Sequence, residues 1–279
     1  MPSGMLVVDG SLDVSQFWPA GRSDVDTTTV MVKVGANAIK FRKDSSSSFR
    51  PTHVFDKRQW SSAEPESRRS RTGRSQFACK VSTRPNSTTS AEKKGLSAAK
   101  LNAYHLLVHS YRQLLGATAT KALHDFLATS GKATLACEVF TQVDHPDEVF
   151  DTYGRLVGDI EVTLKGKTVN LNQWLVQQGW AFPTFYSSMT DDEINTIIAL
   201  AKTARSKKAP VWKYLAMTIG PFNFKLLEPK KGDTSVLATD KGPVILPKLY
   251  RRYTSWSVRH KAKVTSENFQ QFLAAGSGG

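Results

Sequence analysis

DTYGRLVGDIEV, Asp151 to Val162, decides how the rest of the chain is read. A turn ending in Tyr153-Gly154 hands over to Arg155 and to a β-rich run that carries its own acidic pair, Asp159 and Glu161. The loop DHPDEVFDTYG leads into this run, and Lys165-Gly166-Lys167 closes it with a tight-turn signal. NLNQWLVQQ then reads as a short helix stopped by Gly179.

Downstream, Thr190 and Glu193 form a capping box, and Asp191 and Asp192 sit at the positive end of the helix dipole. Ile194, Ile197, Ile198 and Ala201 share one face of that helix, which is expected to end at Pro210. Upstream, KATLACEVFTQV reads as a strand. Two helical stretches precede it, about 97–115 and 117–129, the second closing at Ser130-Gly131. FACKV places Phe77, Cys79 and Val81 in strand alternation. The N-terminal MLVVDGSLDVSQFW passes through the turn WPAGRSD into TTTVMVKV, a hairpin pattern, and AIKFR adds a short strand.

Two regions break the pattern. From about Lys43 to Ser75, serine, arginine and proline dominate, and such a stretch cannot bury enough apolar surface to offset its ordering entropy. It is expected to be a mobile, basic insertion; residues 57 to 74 carry six Lys or Arg against two Glu. Beyond Trp212 the chain turns irregular until a tail, Lys241 to Lys263, with seven Lys or Arg, no acid, and Tyr250, Tyr253 and Trp256 interleaved. Residues 1–215 are thus expected to form one domain carrying the insertion, and 216–279 a basic, aromatic extension.

The 279 residues are 40% hydrophobic and 10% aromatic, which excludes disorder throughout. The formal net charge of +14 favours polyanionic partners. MPSGMLVVDG lacks a basic lead, and no segment approaches the length of a spanning helix. The expectation is a soluble, cytoplasmic protein without a membrane partner. Cys79 and Cys137 form no CxxC pair and adjoin no histidine cluster, so structural zinc has no support. His105, His109 and His124 are scattered on predicted helices, without metal-ligand spacing.

Strands grouped around a helix, with one helix between the third and fourth strands and two more after the fifth, predict an α+β fold. Its expected form is a five-stranded OB-type β-barrel with three or more helices, and such barrels commonly bind single strands.

The order Asp151-Thr-Tyr-Gly-Arg155, strand, VNLNQWLVQQGWAF, capped helix and tryptophan resembles the C-terminal half of the staphylococcal nuclease family, the thermonucleases. Asp24-Val-Asp26-Thr27 resembles that family's Asp-Gly-Asp-Thr turn, with valine in place of glycine. The resemblance implies a calcium-dependent phosphodiesterase acting on DNA and RNA. In it a glutamate activates water, two arginines hold phosphate, and aspartates help hold calcium. Arg155 matches the second arginine, Asp26 one metal ligand, and Asp24 lies in the same turn. Phe185 and Tyr186 fall where the family keeps aromatic side chains beside the bound base.

The remaining catalytic motif can be laid on the chain in two registers. Set on Pro85, it puts Ala78 at the arginine, Thr83 at the aspartate and Asn86 at the glutamate, so every ionisable group is replaced. Set on Pro65, it supplies Arg58 and Glu66 but puts Ala63 at the aspartate. The first register is preferred because FACKV alternates as a strand and RQWSSA does not. Three functions follow: a nucleic-acid-binding protein with a degenerate site, an active calcium-dependent nuclease, or a protein-interaction scaffold.

Overall fold

The computed structural model describes residues 3–17, 27–35, 37–52, 74–79, 97, 99–100, 115–150, 155–185, 189–217, 247–262, 268, 271–272 and 274–275. The chain divides into two compact units. One comprises Met1–Ser82 with Thr120–Ala209, the other Thr83–Ala119 with Pro210–Gly279.

The first unit is built on strands whose alternation is legible in their residues. β1 (Met5–Asp13) buries Leu6, Val8 and Leu12 and turns its odd-numbered residues outward. β6 (Thr134–Gln142) buries Leu135, Cys137, Val139 and Thr141, and β7 (Leu156–Leu164) buries Leu156, Ile160, Val162 and Leu164. Each such aliphatic side chain contributes about 1.5–3 kcal/mol on leaving water, so the period of two fixes which face is inside. β2 (Thr27–Val32) and β5 (Arg74–Cys79) complete a set in which every strand pairs with two others. β1 pairs β2 and β6, β5 pairs β2 and β7, and β6 pairs β7. Only the β5–β7 pairing is parallel.

Three short strands add to these five, one of them at AIKFR, where the sequence leads one to expect it. β3 (Ile39–Arg42) pairs the first half of β1, β4 (Arg50–Pro51) pairs β3, and β8 (Lys167–Asn170) pairs β7. One edge of β1 is therefore shared, by β3 along Met5–Val8 and by β2 along Gly10–Leu12. Gly10 makes the second contact feasible, because a Cβ there would lie 2.7 Å from the Met31 carbonyl oxygen. β4 falls within the stretch expected to be an insertion. Its front, Lys43–Thr52, forms a turn and this strand, and residues 53–73 lie outside the described part.

Helix α1 (Gly116–Ala128) stands between β5 and β6, as the periodicity predicts. α2 (Leu171–Gln177) is capped by Asn170, whose side chain accepts from the Gln173 backbone N–H at 3.1 Å. It stops where Gly179 takes φ +69°, a conformation that costs other residues strain. Phe126 of α1 stacks on Trp174 of α2, ring centroids 4.3 Å apart. α3 (Asp191–Ser206) carries the expected capping box: Thr190 accepts from Glu193 N–H, and Glu193 accepts from Thr190 N–H at 2.8 Å.

Pro210 plays a different part from the one expected of it. α3 has ended at Ser206, and Pro210 opens α4 (Pro210–Met217), where its missing N–H costs nothing in a first helical turn. The second unit holds α4 and α5 (Pro247–Arg259), so part of the tail is a regular helix. Tyr253 and Trp256 of α5 are buried, with Phe272 packed at 5.4 Å and 6.0 Å from their rings. The i, i+3 spacing puts these rings on one side while Arg252, Arg259 and Lys261 stay exposed.

Candidate nucleic-acid interface

Strand register brings three chain ends together. Thr27, the first residue of β2, is the partner of Ala78 near the end of β5, and Ala78 is in turn the partner of Val157 near the start of β7. Phe77 pairs Leu156, the residue that follows Arg155. The start of β2, the end of β5 and the start of β7 therefore lie side by side at one edge of the sheet. Arg155 enters at this edge. Asp26, joined in sequence to Thr27, lies outside the described residues together with Asp24, Asp151, Arg58, Glu66, Thr83, Asn86 and Tyr186. Phe185 is described and is 46% exposed.

Arg155 is half-buried and held by at least one polar or electrostatic contact within the protein. A guanidinium carries N–H donors in a planar fork whose geometry matches an oxyanion. Ala78, the position where the Pro85 register puts the other arginine, pairs with Thr27 on one side and Val157 on the other.

The acidic pair of β7 belongs to the same strand face as Arg155. Arg155, Val157, Asp159 and Glu161 are half-buried and alternate with buried Leu156, Gly158, Ile160 and Val162. Asp159 accepts a hydrogen bond from the side-chain amide of Asn172, a fully buried residue in the first turn of α2. It thereby ties the strand to the helix. Glu161 lies opposite Glu138, which lies opposite Asp9, so three carboxylates form a row across β7, β6 and β1. Lys40 offsets the far end through an ion pair to Asp9 at 3.1 Å. Burial and then the Glu138 charge push the Glu161 carboxyl above its ordinary range.

The face of β7 is thus polar along its length: cationic where it opens, anionic from Asp159 onward. A phosphodiester is attracted to the opening and repelled from the row. The sequence displays the acids, but their alignment with Glu138 and Asp9 depends on register, which no local signal encodes.

Other groups have duller roles. Cys137 points inward, and burial pushes its thiol up to about 12, so it is not a nucleophile at neutral pH. Tyr253 and Trp256, exposed-looking in the basic tail, are core rings, and His260 stacks on Trp256 at 4.6 Å. Among the described residues no group of three His, Cys, Asp or Glu is arranged to hold a metal ion. Asp26 and Thr83, the positions that the resemblance ties to calcium, lie outside the described residues.

Residues 79–214 match the family model described as staphylococcal nuclease homologue. No curated protein matches the chain. The match begins at Cys79, in β5, and runs through α3 and into α4.

Proposed function

We propose that the chain is a nucleic-acid-binding protein whose nuclease site is degenerate, a reading supported by the match of residues 79–214 to the staphylococcal nuclease homologue model. The five strands that each pair two others, with β5 parallel to β7, support an OB-type barrel of the kind that carries single strands in this architecture. Arg155 at the opening of β7 binds the phosphodiester, and exposed Phe185, with Tyr186 beside it, offers a face for a base.

One observation carries the loss of catalysis. Ala78, to which the Pro85 register assigns the second arginine, pairs with Thr27 and Val157 and carries no charge for a phosphate. The family is calcium-dependent; here binding rests on the guanidinium and the +14 net charge and needs no metal. With asparagine where the family has its general base, turnover falls by a factor on the order of 10²–10⁴.

A second reading, an active calcium-dependent nuclease, draws on Asp26, Arg155, Arg58 and Glu66 surviving together in the sequence. One experiment divides the two. Purified protein is incubated with labelled single-stranded DNA and RNA, with calcium or chelator, alongside Arg155→Ala. Salt-sensitive retention without cleavage, weakened in the variant, is the expected result. Chelator-sensitive cleavage lost with Arg155 would overturn it in favour of the enzyme.

A further inference from the structure

The β3–β4 hairpin lies outside the family match and has no part in the site above, yet its side chains are arranged for a ligand. Residues 27–52 carry five Lys or Arg and a single Asp, Asp44. That carboxylate is consumed inside the turn: one of its oxygens accepts from the Ser46 N–H at 3.0 Å and from the Ser46 and Ser47 hydroxyls at 2.7 Å and 2.8 Å. The three bonds hold its pKa below the ordinary range, with Ser46 and Ser47 the main causes. Lys40 is likewise engaged, by Asp9. Arg42, Lys43 and Arg50 have no carboxylate partner among the described residues.

Phe49 adjoins Arg50 in the chain and meets Arg42 across the hairpin. It is 39% exposed, one of few large apolar side chains so placed among the described residues, and the Arg42 guanidinium lies over its ring at 4.9 Å from the centroid. The other polar contact of Arg42 is weak, a 3.9 Å approach to the Met5 sulfur, and its Nε is buried without an acceptor. A part-exposed ring with a guanidinium over one face, on a hairpin that also carries exposed Lys43 and Arg50, is the pairing of π-surface and positive charge that single-stranded nucleic acid meets on binding proteins.

From this geometry we infer that the β3–β4 hairpin is a second nucleic-acid contact, in which Phe49 stacks a base of a single strand while Lys43 and Arg50 meet the neighbouring phosphates. The inference rests on the proposed nucleic-acid binding, and it names a site apart from Arg155. A base-stacking ring discriminates bases from backbone, whereas a purely electrostatic patch responds to phosphate alone.

The test uses the full chain and fluorescence anisotropy with two labelled probes of equal length, a single-stranded oligodeoxythymidylate and an abasic phosphodiester. Phe49→Ala is expected to weaken the thymidylate complex about tenfold, within the range reported for stacked bases, and to leave the abasic complex unchanged. Phe49→Trp should restore binding. Lys43→Gln with Arg50→Gln should weaken both probes and flatten the salt dependence. A Phe49→Ala protein of unaltered melting temperature that binds thymidylate like wild type, or that loses both probes equally, overturns the hairpin site. If that happens while Arg155→Ala still weakens binding, the main reading survives. Wild type that binds neither probe overturns both.

Discussion

Neutralising Glu161 should stabilise this protein at neutral pH, against the usual direction of a substitution in a strand. Glu161 and Glu138 are direct cross-strand partners on β7 and β6, with Asp9 next in line on β1. Like charges opposite one another cost about 0.2–1 kcal/mol, and because Glu138 is exposed, solvent screening places this pair near the middle, about 0.5 kcal/mol. At roughly 2–4 °C per kcal/mol for a domain of 150–250 residues, Glu161→Gln should raise the melting temperature by about 1–2 °C at pH 7. The pH dependence gives the stronger discrimination. Glu161 has a raised folded-state pKa, so the folded protein holds its proton at a pH where the unfolded chain has released it. The penalty is therefore absent below the ordinary glutamate value of 4.5 and grows as pH rises through the raised value. The gain from Glu161→Gln should vanish near pH 4. Glu138→Gln removes the same repulsion, so in the double variant that repulsion counts once, and any gain beyond Glu138→Gln reports the burial of the Glu161 charge alone. Calorimetric melts of the four proteins at pH 7 and pH 4 supply the cycle. A lowered melting temperature for Glu161→Gln at pH 7, or a gain that persists at pH 4, would refute the reasoning.

Three further outcomes follow from the structure. Arg155→Lys keeps the charge and loses the fork, so nucleic-acid affinity should drop by about tenfold with an unchanged salt slope, whereas Arg155→Ala should also reduce that slope by about 0.7; titrations from 50 to 200 mM salt distinguish them. Asn172→Ala strips Asp159 of its amide donor inside the α2–β7 contact and should cost about 1–3 kcal/mol in urea denaturation, with Asn170→Ala, a cap loss, costing about 1 kcal/mol. Cys137, buried and with its thiol near 12, should resist alkylation at pH 8 in the native protein and react within the unfolding transition of a denaturant series.

Much of the architecture was legible because it depends on local chemistry. The period-two alternation of β1, β6 and β7, the Thr190–Glu193 box, the Lys165–Gly166 turn and the Gly179 stop each sit within a few residues of their cause. The arginine at the head of β7 was visible in the same way. Pro210 was harder, since a proline closes one helix and opens another with equal ease, and only the backbone before it tells which. The tail misled for a related reason: interleaved rings and cations look alike on paper, yet helical spacing sends Tyr253 and Trp256 inward and Arg252 and Arg259 outward.

The sequence by itself determined the long strands, the capped helices, the basic charge and an arginine at the head of β7, because propensity, capping and charge are properties of neighbours in the chain. Tertiary structure alone decided that Ala78 stands beside the strand Arg155 opens, that Asp9, Glu138 and Glu161 share a row, and that Phe49 lies under Arg42. Register between strands far apart in sequence is set by the burial of whole faces, and a shift of one residue would have turned every one of these side chains to the other side.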